Sequence, residues 1–155
     1  MSPEQTTRLL IVTGAVVAEV QELPQRVESL IESAAEILVV TPVLPGRLQW
    51  LTSDTDRVRH EADERLKTVI GQVEELAAGA TITGAIGDET PVSAFTDAIR
   101  RFGPNHILLA LRAADHSAWQ ERGLVDRVRE FHIPLTVFEI DAAGRVPGSE
   151  HEADT

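Results

Sequence analysis

Five short apolar runs punctuate the chain, and between them apolar residues return at helical spacing. The runs are Leu9–Thr13, Ile37–Thr41, Thr81–Ile86, Ile107–Leu111 and Leu135–Ile140. Because they show little polar alternation, they predict strands buried on both faces, as in a parallel sheet covered by helices. After the first run, Leu23, Val27, Leu30, Ile31 and Ala34 share one helical face, with Pro24 where a first turn tolerates it. The second helix is longer. Ser53 and Asp56 resemble a capping box, Val58, Ala62, Leu66, Val69, Val73 and Leu76 form its apolar stripe, and Gly79 ends it. The opposite side, with Arg57, Glu61, Glu64, Arg65, Glu74 and Glu75, reads as a solvated face. Helix three is predicted from Thr90 as N-cap and Pro91 at the first helical position, through Val92, Phe95, Ile99 and Phe102, to Gly103-Pro104. A fourth is predicted from Ser117 to Glu130, with Trp119, Leu124, Val125 and Val128 inward and Pro134 closing the connection to the last strand.

Strands and helices therefore alternate from end to end. Right-handed crossovers make such strands parallel, and helices on both faces require one reversal of winding. The expected fold class is α/β: a three-layer sandwich with a five-stranded parallel sheet in the order 3-2-1-4-5, Rossmann-like. Ligands of such sheets sit at the carboxyl ends of the strands, at the switch point between strands one and four. Residues 1–7 and 142–155 carry no apolar period and are expected to be disordered tails, the second acidic, around a domain spanning 8–141. The connection 42–52 (PVLPGRLQWLT) is rich in Pro and Gly yet holds Leu44, Leu48, Trp50 and Leu51, so it is expected to fold back and cover them.

Composition narrows the partners. A length of 155 residues fits one domain that can bury a core without disulfides or a structural metal. With no Cys there is no thiol nucleophile, iron–sulfur cluster or Cys-type zinc site, and a reducing compartment suits the chain. A net charge of −11 disfavours nucleic acid and anionic membrane surfaces as partners. The start, MSPEQTTR, has no signal-peptide pattern and no apolar run is long enough to span a bilayer, so a cytoplasmic location is expected.

Familiar catalytic signatures are missing. No G-x-G-x-x-G follows a strand, no P-loop exists, and the sole lysine, Lys67, falls on a charged helical face. G-x-S-x-G is absent, and the neighbours His116 and Ser117 are poorly placed to meet as base and nucleophile. The five histidines, His60, His106, His116, His132 and His151, contain no i,i+4 pair and read as surface or strand-end residues. Asp88 and Glu89 precede helix three, where carboxylates favour the helix N-terminus, and Gly87 lets the chain leave the strand. Trp50 and Trp119 read as packing residues, with stacking on a planar ligand the alternative. No catalytic or metal-ligating residue is assigned.

One stretch stands where a ligand loop is expected: Ala110-x-x-Ala113, nine residues, then Gly123-Leu124. In this frame the chain resembles the universal stress protein family, of the adenine nucleotide alpha hydrolase-like kind, whose nucleotide-binding members carry G-x-x-G, nine residues and G-[ST]. The resemblance spans roughly 8–141. It implies a nucleotide crevice formed here by Thr13 and Gly14 after strand one, Thr41 and Arg47 after strand two, and Ala110, Arg112, Ala113, His116, Ser117, Gly123 and Leu124 around strand four. The departures change the chemistry. Ala110 and Ala113 put methyl groups where glycine lets backbone N–H groups approach phosphate, Leu124 replaces a hydroxyl donor, and Val12-Thr13-Gly14 replaces the Asp that meets the nucleotide. Arg112, His116 and Arg122 are the side chains that can compensate by meeting an anion.

The resemblance thus implies a non-enzymatic regulatory or stress-response domain that is not a tight ATP binder. It would act by homodimerising through strand five, Leu135 to Ile140, or by binding a protein partner. The alternative is a nucleotide switch taking ATP or AMP on those side chains. A third reading, a weak ATPase related to the adenine nucleotide hydrolases, lacks a phosphate loop and an acid or base group.

Overall fold

A computed structural model of the chain describes residues 7–13, 16–42, 55–87, 91–112, 126–141 and 143–146. Its elements in chain order are β1 (Arg8–Thr13), α1 (Gln25–Glu32), β2 (Glu36–Pro42), α2 (Thr55–Leu76), β3 (Thr81–Gly87), α3 (Pro91–Phe102), β4 (His106–Arg112) and β5 (Leu135–Ile140). All five apolar runs are strands. They form one sheet in the order β3-β2-β1-β4-β5, with every neighbouring pair parallel.

Burial on both faces explains the runs of the central strands β1, β2 and β4, whereas β3, at the sheet edge, departs from that expectation, with Thr81, Thr83, Gly84 and Ala85 exposed. In β1 Leu9 and Leu10 are fully buried although they point to opposite sides, and Ile107 and Leu108 repeat the pattern in β4. Each such side chain contributes about 1.5–3 kcal/mol by leaving water. One face carries α1 and α2, through Val27, Ile31, Leu66, Val69 and Val73, against Leu9, Ile11, Ile37, Val39 and Leu108. On the other face α3 and a helical turn at 126–129 bring Phe95, Ile99 and Val128 against Leu10, Val12, Val40 and Leu109. Among the described residues no helix is long and apolar enough to cross a membrane.

Local signals act as the sequence suggests. Pro24 precedes α1, and its carbonyl accepts the first helical bond from the Glu28 N–H at 3.0 Å. Helix α3 begins at Pro91 and stops at Gly103, whose φ of +64° is the left-handed conformation that terminates helices. The capping positions Ser53 and Thr90, the 43–52 part of the long connection, and Trp119, Leu124 and Val125 of helix four lie outside the described residues.

Besides Gly103, two of the described residues are left-handed. His132 follows the 126–129 turn with φ +59° and donates its N–H to the Arg129 carbonyl at 3.1 Å. A Cβ is unfavourable there, so His132→Gly is expected to stabilise the protein by about 0.5–1 kcal/mol, the relieved backbone strain exceeding the entropy added to the unfolded chain. Urea denaturation measures it, and unchanged or lower stability contradicts the assignment. The second residue is Gly144. It belongs to a turn after β5 in which the Asp141 carboxylate accepts the N–H groups of Ala143 and Arg145, each at 2.9 Å. Beyond it Val146 is buried with the α1/α2-side core.

Candidate functional site

The sheet register decides which candidates meet. Thr13 and Ala110 are paired across β1 and β4, so two predicted crevice residues stand side by side at the carboxyl ends of the central strands. Both are buried. Thr41, at the end of β2, is completely buried, and its hydroxyl donates to the Ala62 carbonyl of α2 at 3.3 Å. That hydroxyl ties strand to helix. Arg112 is the last residue of β4, opposite Ile140 of β5. Gly14, Arg47, Ala113, His116, Ser117, Arg122, Gly123 and Leu124 lie outside the described residues.

Beneath Thr13 and Ala110, on the α1/α2 face, lies a cavity of about 50 Å³. Its wall is apolar, formed by Ile11 and Leu108 from the sheet floor, Phe138 and Ile140 from β5, and Val27 and Val73 from the helices. Gln72 also borders it, and its amide Nε2 donates to the Val17 carbonyl at 2.8 Å. The neighbouring Ala18 N–H donates to the Gly144 carbonyl at 2.8 Å. The segment after β1 is therefore held from two sides, by α2 and by the turn after β5.

His60 is exposed on α2 with Nε2 3.9 Å from Glu64, and Lys67 pairs with Asp63 at 3.1 Å. That hydrogen bond and the charge of Asp63 raise the Lys67 pKa above its ordinary value. His106 begins β4, at the end of the sheet away from Thr13 and Ala110, and shares a 3.0 Å hydrogen bond with the Thr136 hydroxyl. Partial burial, followed by the Arg26 charge, lowers the His106 pKa below 6.5. Since the unfolded chain then binds the proton more readily, the His106 contribution is complete above pH 6.5 and is lost as pH falls toward the depressed native value. His106→Gln is expected to flatten the fall in stability as pH drops below 6.5, checked by denaturation at several pH values. An unchanged slope contradicts this. Among the described residues no group of three or more His, Cys, Asp or Glu is placed to hold a metal ion.

The sequence pattern overlooked Arg8. Its Nη1 lies 2.6 Å from Glu36 Oε1, its Nε donates to the Phe102 carbonyl at 3.0 Å, and its guanidinium stacks 4.5 Å from the Phe102 ring centroid. The side chain joins β1, β2 and the end of α3 at the amino ends of the strands, opposite the candidate crevice.

No protein-family model matches the chain, and no curated protein matches it. Among solved structures it is similar to a hypothetical protein, PH0823, with 14% identity, a TM-score of 0.55, and coverage of 85% of this chain and 95% of that one. The shared feature is the fold. The chain is a parallel α/β protein, consistent with a Rossmann-like fold. A further likeness, to histidinol dehydrogenase from Elizabethkingia anophelis, has 12% identity, a TM-score of 0.37, and coverage of 99% of this chain and 34% of that one. It carries no argument. At such identities fold does not transmit function, so the site must supply it.

Proposed function

We propose that the chain is a non-enzymatic regulatory domain of the universal stress protein kind, acting by association with a second copy or a protein partner rather than by tight nucleotide binding. The observation that supports this most is the pairing of buried Thr13 with buried Ala110 above an apolar cavity. A phosphate chain favours backbone N–H groups, hydroxyls and cations, whereas this junction presents a methyl-bearing residue over hydrocarbon. Thr41, a third candidate, directs its hydroxyl to α2.

Association is favoured by the position of β5. It is an edge strand of the sheet, contains no Pro, and has Leu135 and Val137 only half-buried on one face. Such an edge invites pairing across a two-fold axis. Light scattering of the full chain at micromolar concentration is expected to give the mass of a dimer, with no stoichiometric nucleotide in the supernatant after denaturation. A monomer contradicts association, and a co-purified adenine nucleotide favours the switch reading, in which Arg112 and its neighbours hold the phosphates.

A further inference from the structure

The cavity under Thr13 and Ala110 has its own logic, independent of the regulatory reading. Helix α2 packs over β2 and β3. Val27 and Ile31 of α1 and the shorter segments around Val17 and Val146 share one buried cluster with Leu108, Ala110, Phe138 and Ile140 of β4 and β5. Short segments cannot fill space as a helix does, and Ala110 supplies only a methyl group at the middle of this floor. Interiors normally keep few voids larger than a water molecule. Here the space is about 50 Å³, against roughly 10–15 Å³ for one water.

Water is a poor occupant. A buried water makes two to four hydrogen bonds, whereas this wall is almost wholly apolar, its polar residues being Thr13 and Gln72, and the Gln72 amide turns one N–H to the Val17 carbonyl. No charged side chain stands among the described lining residues, so an ion would lose its hydration with nothing in return. The cavity is partly open to the surface, which gives a solute a way in. We infer that it is a binding site for a small, uncharged, apolar ligand: a short alkyl group or small ring of about four to six carbons, judged against the space one water needs.

The test uses the full chain with ¹³C-labelled Ile, Leu and Val methyl groups, titrated with benzene and, separately, equilibrated with xenon. The methyl signals of Ile11, Val27, Val73 and Leu108 are expected to shift saturably, with a dissociation constant on the order of millimolar for so small an apolar contact. Signals of Val12, Leu109 and Val128, on the other face, should stay in place. Ala110→Val and Val73→Leu, which add carbon to the space, should each weaken binding by about tenfold or more while thermal unfolding shows a folded chain. Two variants guard against one that fails to fold. No shift, shifts proportional to probe concentration on both faces, or binding unchanged in a folded filled variant would each overturn the inference. Inorganic phosphate serves as the polar control, and saturable movement of the same methyl groups by phosphate also overturns it.

Discussion

Gly144→Ala is expected to lower the stability of the protein by about 3 kcal/mol, from roughly 1–2 for a non-glycine residue in left-handed geometry plus 1–3 for overpacking. Two observations make the site intolerant. Its φ is +82°, and a Cβ there would lie 2.7 Å from the Ala18 nitrogen and 2.9 Å from the Ala18 Cβ. The obstacle is main chain, so no side-chain rotation relieves it. The segment after β1 must move, and the bond from the Ala18 N–H to the Gly144 carbonyl goes with it. Equilibrium urea denaturation measures the loss. Gly144→Asn separates the causes, because asparagine tolerates positive φ but still carries a Cβ. Near-normal stability in the Asn variant would assign the loss to backbone conformation alone. Normal stability in the Ala variant would contradict the docking of the turn.

The second large effect is expected at Arg8, where Arg8→Ala should cost about 2–3 kcal/mol. The contact with Glu36 contributes the smaller part, since the two side chains are 34% and 40% exposed and solvent-accessible ion pairs are weak. More comes from the Phe102 carbonyl, which receives both Nε and Nη2 at the C-terminal end of α3, where a cation is favoured. The flat guanidinium over the Phe102 ring adds to it. Arg8→Lys keeps the charge but loses the two-pronged donation, so it should lose roughly half as much. A loss below about 0.5 kcal/mol in the Ala variant would mark the contacts as incidental surface pairing.

These two positions also show where sequence reading reaches its limit. The strands were legible because Leu9, Leu10, Ile107 and Leu108 are buried whichever way they point, leaving an apolar run in the sequence. The strand order followed from handedness and a single reversal, and the register then brought Thr13 beside Ala110 as the switch-point rule expects. Arg8 reads in sequence only as a polar boundary before LLIVT. Its partners Glu36, Phe102 and Asn105 are 28, 94 and 97 residues away and become neighbours only in the folded sheet. Gly144 lies where the apolar period has ended, and its need to be glycine arises from Ala18 at the other end of the chain. Thr41 is a different case. Its place at a strand end was legible, but the turn of its hydroxyl toward Ala62 depends on how α2 lies across β2. The cavity was hidden for a similar reason, since apart from Thr13, Ala110 and Gln72 its wall is made of aliphatic and aromatic residues that look like ordinary core in the sequence.

The central claim is that the junction of β1 and β4 is unsuited to a nucleotide's phosphates. It is tested most directly by calorimetric titration of the full chain with ATP, in parallel with ADP, AMP and cyclic AMP. The expected result is no saturable heat at nucleotide concentrations up to about 100 μM, which corresponds to a binding free energy weaker than roughly −5.5 kcal/mol. A dissociation constant in the low micromolar range, raised by Arg112→Ala, would contradict it and establish the nucleotide switch instead.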